Sequence, residues 1–169
     1  VNNVLEVIDG GFEEAGVEQS EIDQIAAECK FLRGLAYFDL ARLFCQPIAQ
    51  DGGSALGVPI MLVTENGQPE RNTLGEVFAQ IETDLLDAEA GLAAVSPNAG
   101  TDAKGWATSY AAQALLARYY LYMEQWQDAA DYATTVISSG NYPVYTAAEY
   151  TTWDLGGVWG TDAASEIIF

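Results

Sequence analysis

The chain has 169 residues, half of them apolar, and its 25 acidic against 6 basic side chains leave a formal charge of −19 with no histidine. That is one domain's worth of chain with enough apolar mass for a sizeable core, while the charge disfavours nucleic-acid binding and electrostatic docking to anionic lipid. Without histidine the Ser-His-Asp, Cys-His and imidazole–zinc constellations are absent; the acids are scattered with no calcium-loop run, so no catalytic residue, metal site or cofactor is expected.

In chain order, residues 2–9 set Val4, Leu5 and Ile8 at helical spacing before Gly10-Gly11. Ser20 with Asp23 reads as a capping box, and Ile22, Ile25, Ala26, Cys29, Leu32, Leu35, Ala36 and Leu43 follow at three-to-four spacing until Pro47. Phe31, Phe38 and Phe44 widen that stripe, so this helix is expected to pack on more than one side. Cys29 and Cys45 stand 16 positions apart, about 24 Å along such a helix, and cannot pair.

Residues 46–72, rich in proline and glycine, read as a long loop with one extended run from Val58 to Val63. Thr73 with Glu76 opens a helix over about 73–93 whose inner face is Val77, Phe78, Ile81, Leu85, Ala88 and Leu92. Beyond Lys104-Gly105, the residues Ala107, Tyr110, Ala111, Ala114, Leu115, Arg118 and Leu121 share a face. A turn at Met123-Glu124-Gln125 leads to a helix from Trp126 to Ser139 with Ala129, Ala130, Ala133, Val136 and Ile137 inward and Gly140 at its end. This αα-hairpin resembles a tetratricopeptide repeat through Leu116, Ala117, Tyr120, Ala129 and Ala133. Gly34 with Tyr37 echoes Ala117 with Tyr120 at a separation of 83 positions, so the array is not regular. The fold class is all-α: tetratricopeptide-like hairpins separated by long loops.

From Tyr142 onward the composition turns to aromatics among Gly, Thr and Asp, ending in Glu166-Ile167-Ile168-Phe169. Val1 without an initiator methionine and the apolar last run both read as cut ends. No stretch reaches the apolar length of a membrane span.

These pieces, taken in order, resemble the SusD/RagB family of Bacteroidetes outer-membrane nutrient-binding lipoproteins. The resemblance rests on Asn3-Val4-Leu5, on Glu28 with Phe31-Leu32-Arg33, on Leu35-Ala36-Tyr37-Phe38-Asp39-Leu40, and on Arg42-Leu43-Phe44. It continues through Gly57-Val58-Pro59-Ile60, Arg71, Thr73 and Asp84-Leu85 to Leu115-Leu116-Ala117-Arg118, Tyr120, Trp126 and Ser139-Gly140 with Tyr142. Gly34 departs from the usual alanine and costs about 1 kcal/mol in helix propensity. The resemblance implies a SusD-like α-α superhelix core over residues 1–142, with residues 143–169 starting a variable, loop-rich region. It further implies a non-enzymatic, surface-exposed protein of the outer membrane, anchored by a lipid outside this chain. Such a protein captures an oligosaccharide or other nutrient and passes it to a TonB-dependent outer-membrane transporter.

Aromatic faces with polar rims suit sugar rings, so the candidate ligand-binding residues are Tyr145, Tyr150, Trp153 and Trp159; aromatics are commonest as core and interface filler, and the competing reading is that these pack a junction with further chain. Tyr119, Tyr120, Tyr122 and Trp126 are expected to pack the hairpin, and Arg33, Arg42 and Arg118 to form ion pairs or carbonyl contacts. The alternative function is a helical-repeat scaffold for protein partners. A glycan-cleaving enzyme would need two carboxylates facing across a cleft at about 5–10 Å.

Overall fold

The computed structural model describes residues 1–96 and 105–144. Among the described residues five α-helices carry the architecture: α1 (Asn2–Asp9), α2 (Gln19–Phe44), α3 (Leu74–Gly91), α4 (Ser109–Tyr122) and α5 (Trp126–Ser138), with one 3₁₀ turn at Ile48–Gln50. Among the described residues the only sheet-like pairing is an antiparallel bridge between Leu56 and Thr73. The expected all-α class holds. The chain packs as two successive helical pairs, α2 on α3 and α4 on α5, joined through α3 against α4, while α1 lies on α2.

Local chemistry sets the helix ends. At α3 the Thr73 hydroxyl accepts from the Glu76 amide and the Glu76 carboxylate accepts from the Thr73 amide at 2.8 Å, which satisfies two otherwise orphaned donors. At α2 the box is displaced from the expected Ser20/Asp23 pair: Glu18 is the N-cap and Glu21 accepts from its amide at 3.1 Å. A glutamate at each end of the box fills the same reciprocal geometry, which draws Gln19 and Ser20 into the first turn. The turn before α5 places Glu124 at φ 60°, and Gly140 closes that helix at φ 69°.

The core lies along α3. Val77, Phe78, Ile81, Leu85, Ala88 and Leu92 are all buried, as the sequence pattern predicts, and Leu74 joins them. Phe38 from α2 and Tyr119 and Tyr122 from α4 close around Phe78, with Phe38 edge-on at 6.5 Å and Tyr122 stacked at 5.6 Å. The buried faces of α2 and α4 are rotated from the predicted stripes. On α2 the interior is built by Ala27, Phe31, Gly34, Phe38 and Ala41, whereas Ile25, Leu32 and Leu43 are exposed. On α4 it is built by Ala112, Leu115, Leu116, Tyr119 and Tyr120, whereas Leu121 and Arg118 face outward. Both helices are apolar around most of their circumference, so their periodicity does not select one face. On α5, Ala129 and Val136 are buried as expected, but Ala130 and Ile137 are exposed.

Gly34 sits at a close approach of α2 to α3: a Cβ there would come within 2.8 Å of Leu85 Cδ2. The missing side chain therefore sets the interhelical distance, a packing reason for the propensity it costs the helix.

Candidate functional site

The four residues expected to stack a ligand, Tyr145, Tyr150, Trp153 and Trp159, lie outside the described residues, as does most of the 143–169 region. The described residues present three chemically distinct surfaces.

The first is a cleft of about 650 Å³ between α1, α2 and residues 58–69, lined by Asn2, Asn3, Arg33 and Tyr37 among apolar side chains. Its principal polar atoms are engaged internally. The Tyr37 hydroxyl accepts from the Met61 amide at 2.6 Å and lies 3.2 Å from the Met61 carbonyl, to which Asn2 Nδ2 donates at 2.7 Å. Arg33 reaches across to α3 and donates twice to Asp84, at 2.8 and 2.7 Å, a bidentate pair with Asp84 only 1% exposed. Asn72 Oδ1 accepts from the Ile60 amide, and Arg71 donates to the carbonyls of Leu56 and Gly57. The Met61 bonds tie the 56–72 segment to α1 and α2, Arg71 and Asn72 close that segment on itself, and Arg33 ties α2 to α3.

The second surface is a polar seam where α3 meets α4 and α5. Tyr120 and Tyr132 stack at 5.5 Å and 15°, and their hydroxyls donate to Glu82 and Glu89 at 2.8 and 3.1 Å. Gln113 donates to the other oxygen of Glu89 at 3.0 Å, while its own Oε1 is buried without a hydrogen-bond partner. Burial first, and the facing carboxylates next, raise the phenol of Tyr132 to about 12 and push Tyr119 and Tyr120 up as well, so all three stay protonated at neutral pH. Glu82 and Glu89 stand two turns apart on one helix, each accepting from tyrosine. They offer acceptors, not a facing acid–base pair. Sequence reading missed this seam: the seven-residue spacing of Glu82 and Glu89 stands in the sequence, but the fold alone decides which tyrosines face them.

The third surface is a groove of about 330 Å³ between α4 and α5, walled by Leu121 and Trp126 and floored by alanines. Trp126, expected to pack the hairpin, is 62% exposed here. It stands at the first position of α5, just past the turn, and points away from the core. The arginines divide likewise: Arg33 is paired, Arg42 lies 3.4 Å from Asp39 and over the Phe38 ring, but Arg118 has no carboxylate or carbonyl partner among the described residues.

No group of three His, Cys, Asp or Glu side chains capable of holding a metal occurs among the described residues, and no described helix is long and apolar enough to cross a membrane. Burial raises the Cys29 thiol, and both cysteines are free.

Comparison with known proteins gives these features a context. The model of a SusD-like family, described as starch-binding and associating with the outer membrane, matches residues 1–121. A crystal structure of a SusD superfamily protein from Bacteroides thetaiotaomicron is 35% identical, superposes with a TM-score of 0.81, and is covered over 97% of this chain and 34% of its own. One from Bacteroides vulgatus is 32% identical at a TM-score of 0.77, over 88% of this chain and 33% of its own. A laminarin-binding SusD-like protein is 25% identical at a TM-score of 0.63, over 86% of this chain and 28% of its own. The chain thus spans about a third of the length of the solved structures it resembles. No curated protein matches it.

Proposed function

Because the chain belongs to the SusD-like family, we propose that the protein it comes from binds carbohydrate at the bacterial outer membrane without cleaving it. The observation that carries this reading is the family match over residues 1–121 together with a helical scaffold that superposes on a SusD superfamily protein at a TM-score of 0.81. A relative described as laminarin-binding supports a polysaccharide-derived ligand.

In this reading residues 1–142 are the scaffold, and residues 143–169 begin the part that meets the ligand. Tyr145, Tyr150, Trp153 and Trp159 supply aromatic faces against which sugar rings stack, with hydroxyl and indole donors at their rims. The protein is held on the cell surface by a lipid anchor and hands its oligosaccharide to a TonB-dependent transporter. Asn2, Arg33 and Tyr37 of the α1–α2 cleft are bonded internally, which favours the aromatic segment for that work.

The test is affinity electrophoresis of the full-length protein through gels containing starch, laminarin or an unrelated acidic glycan. Retardation by one neutral glucan, lost in a Trp153→Ala/Trp159→Ala variant that still melts cooperatively, is expected. Absence of retardation across a wide glycan panel, or an undiminished shift in the variant, contradicts the proposal. Protease shaving of intact cells, with metabolic labelling by a fatty-acid probe, checks location and anchor separately.

A further inference from the structure

Only 6 basic side chains stand against 25 acids in this chain, yet two of them, Arg42 near the end of α2 and Arg118 on α4, line one small pocket of about 280 Å³ with Phe38, Leu121 and Tyr122. The Arg42 guanidinium lies over the Phe38 ring, 5.3 Å from its centroid, which holds it at the pocket. Its bond to the exposed Asp39, at 3.4 Å, is longer than an ordinary N–H···O bond and leaves most of its donors unused. Arg118 has no ion-pair partner among the described residues, whereas Lys30 and Arg33 are paired at 2.7 Å.

In so acidic a molecule this absence is specific to the place. Arg118 is the only charged residue of α4. Neither the pocket it shares with Arg42 nor the α4–α5 groove that it also lines has a carboxylate in its walls. Two guanidinium groups at one pocket repel each other unless negative charge lies between them. Each presents a planar fork of N–H donors that matches the oxygens of a carboxylate or sulfate. The volume lies below the range of about 300–1,000 Å³ typical of sites for drug-sized ligands, so it suits a small group. α2 and α4 meet mainly through α3, and an anion bridging the two arginines would join them directly.

We propose that Arg42 and Arg118 form a binding site for a small oxyanion, a carboxylate or sulfate, held between α2 and α4 beside Phe38 and Tyr122. The site is separate from the aromatic segment and does not rest on the glycan reading.

Thermal melting of the full-length protein at constant ionic strength tests it, with chloride replaced stepwise by acetate or sulfate. The midpoint should rise by about 2 °C and the rise should saturate in the low-millimolar range; the general effect of an excluded salt such as sulfate instead keeps growing towards molar concentration and is alike in every variant. Arg42 and Arg118 are both exposed, so Arg42→Gln and Arg118→Gln should fold, and each should lose the saturable rise. Arg118→Lys should need a severalfold higher concentration to half-saturate. Lys30→Gln, which removes the same charge from the surface pair with Asp87, should keep the full response. Acetate and glucuronate separate the sources of the group: similar half-saturation is expected of a site that reads the free anion, and glucuronate tighter by tenfold or more assigns the same two arginines to a sugar acid. A rise that persists in Arg118→Gln, or is lost equally in Lys30→Gln, overturns the proposal. So does a wild-type midpoint without a saturable response, as when a carboxylate of the chain itself fills the pocket. Glycan retardation of the same variants reports separately on the binding function.

Discussion

Asp84 lies in the interior of the bundle and accepts both guanidinium bonds from Arg33 on the facing helix, with Gln80 donating to the same carboxylate at 3.1 Å. Removing Arg33 strands a carboxylate that is 1% exposed, and removing Asp84 leaves a largely buried guanidinium with no counter-charge. Asp84→Ala is therefore expected to destabilise the protein by about 3–5 kcal/mol in urea titrations, whereas the paired replacement Arg33→Met/Asp84→Leu recovers most of that loss. The seam tyrosines make a second prediction. Below pH 10 the phenols are neutral in folded and unfolded chains alike; above it the unfolded chain loses protons first, because Tyr119, Tyr120 and Tyr132 are held up from an ordinary value of 10.0. The folded state then binds more protons, and stability falls as pH climbs from 10 towards 12. Tyrosinate absorbance followed alongside helical circular dichroism checks this: the three phenols should ionise only as the helix signal is lost. Independent ionisation of all tyrosines near pH 10 in the folded protein contradicts it.

At the scale of elements, a close contact between α2 and α3 is governed by an absent side chain. Gly34→Ala gains about 1 kcal/mol of helix propensity, yet its Cβ would lie 2.8 Å from Cδ2 of a fully buried Leu85, which has nowhere to move. Overpacking of that kind costs about 1–3 kcal/mol, so a lower melting temperature is expected and an increase would contradict the packing account. Tyr37→Phe tests the long connection: the hydroxyl is the anchor for both polar groups of Met61, and hydrogen exchange over residues 58–64 should accelerate while the helical core stays protected.

These elements also explain what the sequence discloses. α3 is buried along one strongly apolar face against α2 and α4, and its period picked out every core residue from Val77 to Leu92. For α2 and α4, apolar side chains ring the helix, so packing partners distant in sequence decide which of Ile25 or Phe31, Leu121 or Leu116, goes inside. The family was legible because its marks are local runs such as Phe31-Leu32-Arg33. The tyrosine–glutamate seam was not, since it joins Glu82 to Tyr120 and Glu89 to Tyr132 across three helices. Arg118 defied its expected pairing for the same reason: an arginine among many acids finds a partner only where the fold brings one near.

Across the whole molecule the dominant quantity is the charge of −19. Self-repulsion among exposed carboxylates opposes compaction and is screened by salt, whereas the buried Arg33–Asp84 pair is shielded from ions. Thermal melting in molar potassium chloride should give a higher midpoint than at low ionic strength; an unchanged or lower midpoint contradicts self-repulsion as a limit on its stability. The same scale holds the functional claim, in which a helical scaffold supports a ligand surface formed by the segment that follows it. A crystal structure of the full-length protein with a bound neutral oligosaccharide tests this most directly. The account predicts sugar rings stacked on side chains among Tyr145, Tyr150, Trp153 and Trp159, with the α1–α2 cleft empty of ligand. Sugar seated in that cleft against Asn3 and Tyr37, with the four aromatics buried in a helical junction, would contradict it.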